Sequence, residues 1–366
     1  MAQAHDRTSA MLAGSSRTGR RQGELRAGVG TPLLCTQSGT DPLSDVLRAV
    51  RLTGAVFHRV EASFPWGVEI PDSTLYRPII LPQAQHVISY HIILEGDGFV
   101  CMPGSEPVRF EAGDILLLAG GTRYALLSTP GQKPEYDEPA TTAFFREWMN
   151  GTLPFVTREG GGGEGGTAYI CGFLGCDTRP FNPVLCALPP LTRIKWARIK
   201  WAGHEGAGLL GQLIELTLAE SGLPGPGGEA IRLRLCELIF VEVMRLCLQS
   251  LPAHEKGWLS GLRDPSVGTV LALLHAQPAK HWTLDTLAAE AGMSRAALAA
   301  RFAHLVGHGP MHYLALWRMQ LAANRLSDSS LKVAAIGRDV GYASEAAFSR
   351  AFKKATGLSP SAWRNR

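Results

Sequence analysis

The stretch VGYASEAAFSRAFKKATGLSP, Val340–Pro360, decides the fold of the C-terminal part of the chain. Ser344 is of the residue types whose side-chain oxygen accepts from the free amides of a helix's first turn, so a helix is expected just after it. Phe348 and Phe352 follow four apart, on one face. Gly357 stands where the helix must end in a left-handed residue, a conformation that a Cβ resists. Ser359-Pro360 then opens a further helix. Upstream, Val333, Ile336 and Val340 mark a short helix that Gly341 ends. Two short helices joined by a glycine turn read as a helix-turn-helix.

The same scheme occurs once before. Leu287–Met293 matches Ile336–Tyr342 at an offset of 49 residues. After one inserted residue, Ala297-Leu298, Phe302, Gly307 and Pro310 match Ala347-Phe348, Phe352, Gly357 and Pro360, and Tyr313 matches Trp363. Thr283 caps a helix with Leu284, Leu287 and Ala291 on one face, and Gly292 turns it. Ser294 caps a second helix whose inner stripe is Leu298, Phe302 and Leu305. Between the copies, Met311–Leu326 reads as one amphipathic helix, ~24 Å long. Two major-groove readers on one face of a duplex sit about one turn, ~34 Å, apart, and a rigid helix of that length suits the task. A protein-binding array of helical hairpins needs about three repeats or more to bury a continuous core.

Charge agrees with this. Residues 263–366 carry 13 Lys+Arg against 6 Asp+Glu, while 41–262 carry 18 against 24. A basic end on an acidic body points to a polyanionic partner.

The chain has 366 residues, enough for about two domains. Its composition, 45% hydrophobic and 19% charged, excludes a disordered chain or a disulfide-stapled miniature. Apolar runs such as Ile115–Ala119 fall far short of the ~20 residues that span a bilayer. No export signal is legible, and 7 cysteines is an odd number, so reduced thiols in a cytoplasmic protein are expected. Residues 1–40, rich in Gly, Ser, Thr and Arg, are expected to be a disordered leader.

From Asp41 onward come short β-prone runs: Gly54–Val60, Val87–Leu94, Gly98–Met102, Val108–Phe110, Ile115–Leu118, Tyr124–Leu127 and Ala168–Phe173. Turn signals separate them, which suits a small barrel or sandwich. Gly160–Gly166 reads as a hairpin tip. Leu209–Ala219 and Glu229–Gln249 read as helices joined by Ser221–Gly228. The second, which carries Cys236 and Cys247, is apolar round much of its circumference, as a core or interface helix is. Leu251–Leu262 reads as a linker. The tandem Ile194–Ala197 and Ile199–Ala202 reads as a local duplication in a connecting segment.

The tracts Trp282–Arg295 (WTLDTLAAEAGMSR), Gly307–Leu314 (GHGPMHYL) and Val340–Pro360 together resemble the DNA-binding domain of AraC-type transcriptional regulators. The resemblance implies that the second helix of each unit enters the major groove. Its base-facing positions are then Arg295, Ala296, Ala299 and Ala300 in the first unit, and Glu345, Ala346, Ser349 and Arg350 in the second. Ser294 and Ser344 cap these helices, and Lys353 lies along the second. The family usually has Arg two residues before the core Phe; Arg350 fits and Ala300 departs. His86–Leu127 resembles the cupin-type sensory barrel of one AraC subgroup, and Cys171–Asp177 with Pro183 and Ala187–Pro189 is similar to its exit. The implied fold class is an α+β multidomain chain. A cupin-like β-barrel with accessory helices occupies 41–250, and an all-α double helix-turn-helix occupies 263–366, with units at 284–305 and 333–355. The implied function is that of a sequence-specific transcriptional activator. Its implied partners are double-stranded DNA, a small-molecule effector, RNA polymerase and a second copy of the chain, with no membrane and no cofactor.

Two other readings compete. A cupin-like metalloenzyme fused to a DNA-binding domain needs His residues two apart, a following carboxylate and a later His. His86 and His91 are five apart, which sends them to opposite strand faces, and Tyr124 stands at the later position. No metal and no catalytic residue is therefore expected. The other reading is a thiol switch: Cys171 and Cys176, around Gly172 and Gly175, meet if the segment kinks. Otherwise they are small buried residues.

Overall fold

A computed structural model describes residues 41–50, 52–195, 208–221, 225–250 and 256–366. The leader expected at 1–40 and most of the tandem lie outside the described residues. Among the described residues ten strands build the N-terminal part: β1 (Leu52–Ser63), β2 (Gly67–Ile70), β3 (His86–Glu95), β4 (Asp97–Cys101), β5 (Val108–Glu111), β6 (Asp114–Leu118), β7 (Tyr124–Leu127), β8 (Val156–Gly160), β9 (Gly166–Cys176) and β10 (Thr192–Lys195). They form a six-stranded sheet in the order β10-β6-β3-β9-β1-β8 and a four-stranded sheet in the order β2-β7-β4-β5.

A buried cluster that includes Trp66, Val68, Val87, Ile93, Phe110, Leu116, Leu126 and Phe173 draws on strands of both sheets. The side chains on the other face of β3 and β9 are buried too. Ile88, Tyr90, Ile92 and Leu174 share a core with Cys236, Ile239, Phe240, Val243 and Met244. Those belong to α6 (Gly228–Ser250), which follows α5 (Gly208–Ser221). Burial on both faces explains why β3 and β9 are apolar nearly throughout instead of alternating. Gly172 is fixed by the same packing. It pairs with Tyr90 across the strands, and a Cβ there would lie 2.1 Å from the Tyr90 ring.

Three expectations need correction. Gly160–Gly166 is not a hairpin tip: β8 runs parallel to β1 on one side and β9 antiparallel on the other, so the glycines carry the chain across β1. The linker does not extend to Leu262, because Trp258–Arg263 forms a helix, α7, with Trp258 and Leu259 buried. Its indole Nε1 donates to the Tyr313 hydroxyl at 2.8 Å. Cys171 and Cys176 do not meet. They lie five apart on β9, and each joins a different core, Cys171 the one between the sheets and Cys176 the outer one. Burial pushes the Cys171 thiol well up and the Cys176 thiol up to about 12, so both stay protonated and unreactive.

Four short helices decorate the barrel: α1 (Pro42–Ala49), α2 (Ser73–Ile80), α3 (Glu138–Met149) and α4 (Pro183–Ala187). Beyond α7 the C-terminal part is helical: α8 (Pro265–Ala276), α9 (Leu284–Glu290), α10 (Arg295–Val306), α11 (Pro310–Asp328), α12 (Val333–Asp339), α13 (Glu345–Thr356) and α14 (Pro360–Arg364).

The two helix-turn-helix units are built alike but rooted differently. Leu287, Leu298, Phe302, Tyr313 and Trp317 of the first unit belong to the same continuous core as α6 and the outer face of the barrel. Ile336, Val340, Phe348, Phe352 and Trp363 of the second form a separate core with Met319, Ala322 and Leu326 of α11. Gln320, buried on α11, clasps the first half to the barrel. Its Oε1 accepts from the Phe181 amide at 3.0 Å and its Nε2 donates to the Ala49 carbonyl at 3.0 Å. Asn324 donates to the same carbonyl at 2.9 Å.

Candidate nucleic-acid interface

Each unit is shaped by the residues that the sequence singles out. Thr283 caps α9, and Gly292 takes the left-handed turn at φ 63°. Ser294 then caps α10 by accepting from the Ala297 amide at 3.2 Å. Ser344 caps α13 by accepting from the Ala347 amide at 3.2 Å. Gly307 and Gly357 end these helices in left-handed conformation. The matched aromatics do the same task in each copy. Tyr313 packs edge-on to Phe302 at 5.9 Å, and Trp363 packs edge-on to Phe352 at 5.7 Å.

With Leu298 and Phe302 turned inward, α10 presents Arg295, Ala296 and Ala300 to solvent and Ala299 at the margin. With Phe348 and Phe352 inward, α13 presents Glu345, Ala346, Arg350 and Lys353, with Ser349 at the margin. Both sets lie on the outer face of the expected recognition helix. Arg295 is not free: its Nε lies 3.0 Å from an Asp285 carboxylate oxygen on α9. Among the described residues no ion pair engages Glu345, Arg350, Lys353 or Lys354. Arg301 is held by Asp264 at 2.5 Å and is structural.

Sequence reasoning missed Arg318, which ties the units together. From the middle of α11 its Nε donates to the Pro278 carbonyl at 2.7 Å and its Nη2 to the Lys280 carbonyl at 2.9 Å. Gly341, at φ 88°, fits against the same place: a Cβ there would meet the Ala279 carbonyl at 2.7 Å. The turn of the second unit thus rests on the loop that leads into the first. One Arg on an amphipathic helix gives no sign of this in the sequence. The helix between the readers is longer than expected, 19 residues, so ~28 Å.

The barrel interior holds the residues a cupin metal site would draw on. His91 Nε2 lies 2.7 Å from the Tyr124 hydroxyl, so Tyr124 occupies the place of the later ligand. Burial holds that phenol protonated, far above its ordinary range, and a neutral phenol is a poor ligand. The donor set does not fit a cupin metal.

Burial also pushes His58 and His91 down to about 3. In the unfolded chain both take a proton as pH falls below about 6.5; in the fold neither does until about pH 3. Protons therefore favour the unfolded chain in that window. Stability present above pH 6.5 is lost as pH falls, by up to ~1.4 kcal/mol per pH unit for each ring. Urea midpoints at pH 7, 6 and 5 should show this, and His58→Phe, among Phe144 and Trp148, should flatten the decline. An equally steep decline in the variant would show that the ring is not the cause.

Comparison with known proteins agrees with this architecture. A cupin family model matches residues 41–249, and a helix-turn-helix domain model matches 287–366. An AraC-like transcription regulator of Streptomyces lividans is 30% identical over 336 residues, 88% of this chain and 98% of that protein. The HTH-type transcriptional regulator AlkR of Acinetobacter baylyi is 31% identical over 77% of this chain and 89% of that one. Among solved structures, the DNA-binding domain of AdpA in complex with a target DNA is 31% identical, with a TM-score of 0.27, over 28% of this chain and 91% of that one. The chain belongs to the AraC-type transcriptional regulators, with a cupin domain ahead of the helix-turn-helix domain.

Proposed function

We propose that the chain is a cytoplasmic, effector-responsive activator that reads DNA through the exposed faces of α10 and α13. The observation that carries this is the pair of capped recognition helices, held in fixed relation by α11 and Arg318, with Arg350 unpaired among the described residues. Arg295, Ala296, Ala299 and Ala300 face one major-groove segment, and Glu345, Ala346, Ser349 and Arg350 the next. The capping Ser294 and Ser344 and the side chains of Lys353, Lys354 and Lys332 serve phosphates. RNA polymerase is the further partner of an activator. The barrel performs no catalysis and binds no metal; the Tyr124–His91 contact supports this.

The test is the affinity of the full chain for its selected DNA across a salt series. Each neutralised phosphate adds about 0.9 to the log–log slope. A shallow slope, or no affinity for any duplex, would overturn the reading.

A second copy of the chain fits α5 and α6. Leu209 and Leu216, and Ile231 and Leu238, are each about half exposed, at 50%, 56%, 48% and 51%, and stand seven apart on helices that pack together. Such a stripe on a helix pair suits an isologous four-helix contact. Leu216→Glu with Leu238→Glu should leave a folded monomer by sedimentation; an unchanged mass would reject this face.

A further inference from the structure

Among the described residues, the cavity inside the barrel, lined by His58, His91, Tyr169 and Cys171, has about 20 Å³. That is room for about one water. A far larger cleft lies where the barrel exit meets the first helix-turn-helix unit. It has about 460 Å³, within the ~300–1,000 Å³ typical of small-molecule sites. Phe181 and Leu188 line it from the barrel side, Trp258 from α7, and Val306 from the end of α10.

We propose that this junction cleft, and not the barrel interior, takes the chain's small-molecule ligand, and that the ligand is a carboxylate with a bulky apolar body. The inference rests on the effector-responsive reading above and assigns its site. Size argues first, because the space between the sheets is already filled by side chains. Chemistry argues next. The accessible walls are apolar, from Leu188, Pro189, Leu305 and Val306, which favour an apolar body. The polar side chains of the cleft include Lys256, His304 and His308, and none of the described residues that line it is acidic. Burial and His312 hold His308 below its ordinary range, so Lys256 supplies the permanent positive charge. A carboxylate meets that ammonium and the imidazole N–H groups, while its apolar body lies on the wall.

The position also says why a ligand here is felt at the DNA. The Gly257 amide donates to the Leu305 carbonyl at 2.8 Å, at the end of the first recognition helix. Trp258 donates to the Tyr313 hydroxyl, which lies 2.8 Å from His275 Nε2. An occupant of the cleft touches groups that set where α10 ends and α11 begins.

The test is calorimetric titration of the full chain with 2-naphthoate, the uncharged 2-naphthamide and acetate. One naphthoate per chain is expected, about ten-fold tighter than the amide, since a charge-assisted contact separates them. Acetate should not register. Lys256→Gln should erase the preference and leave the amide's affinity intact. Leu188→Trp should fill the cleft and abolish both, with the far-UV circular dichroism, the thermal midpoint and the ligand-free DNA affinity unchanged. No naphthoate binding, equal affinity for acid and amide, or binding that survives Leu188→Trp would each overturn the proposal. DNA affinity measured on the same ligand-free samples reports on the regulator reading separately: its loss there fails that reading and not the cleft.

Discussion

Phe352→Ala should melt the second helix-turn-helix unit and leave the rest of the molecule folded. The ring is fully buried, packs at 5.6 Å on Phe348 and at 5.7 Å on Trp363, and belongs to a core that draws only on α11 and the elements after it. Truncating such a Phe costs ~3–5 kcal/mol, from the lost burial and the cavity left behind. The loss falls on a unit with a small core of its own. Amide exchange should therefore rise to near-unfolded rates in α12–α14 while β3, β9 and α6 stay protected. Specific DNA binding should vanish with it. Phe302→Ala is the contrasting case. Its core runs on through Trp258 and α6 to the barrel, so its cost should be spread over both domains as one cooperative loss. Protection in α12–α14 that survives Phe352→Ala would show that the second unit borrows stability from elsewhere.

Arg350→Ala should cost ~1–3 kcal/mol on the preferred site and relax the preference at one base pair. Arg350 lies exposed on the face away from Phe348 and Phe352, and its guanidinium suits the O6 and N7 of a guanine. Glu345, one turn earlier, suits a cytosine amine. The first reader differs: Ala296, Ala299 and Ala300 offer methyl groups, which touch a thymine methyl but make no bidentate bond. Arg295 is turned toward Asp285 on α9, so Arg295→Ala should weaken binding evenly across sequences. Binding-site selection with each variant settles the matter. If Arg350→Ala weakens every sequence equally and keeps all base preferences, Arg350 contacts the backbone and the assignment falls.

Both units were legible because their signals are local. Cap, four-residue apolar spacing and terminal glycine all lie within about twelve residues, and their repetition makes chance agreement remote. The barrel was half legible. Strands with turns at both ends stood out, but β2, β8 and β10 are only 4 or 5 residues long and two of them are partly exposed. The short helices were missed although their signals were present. Asp41-Pro42, Asn182-Pro183 and Asp264-Pro265 each place a capping side chain before a proline in the first turn. The fate of Cys171 and Cys176 depended on whether the segment kinks, and pairing with β1 and β3 along its length keeps it straight. The clasp of Gln320 and the brace of Arg318 join residues far apart in the chain, and single-sequence periodicity carries no information about such pairs.

The clasp at Gln320 has a consequence for recombining this regulator with its relatives. The obvious place to cut, between sensory and DNA-binding domains, runs through Trp258 and the shared core. A cut ahead of α11 would discard Gln320 and Asn324, and so strand the Ala49 carbonyl and the Phe181 amide without partners. The workable seam lies inside α11, after Asn324. Everything beyond it travels as a cassette that carries Arg350 and most of the second core, and its Phe348 and Phe352 must repack on the counterparts of Met319 and Ala322 in the recipient. Everything before it, the first reader included, is inherited together with the sensor.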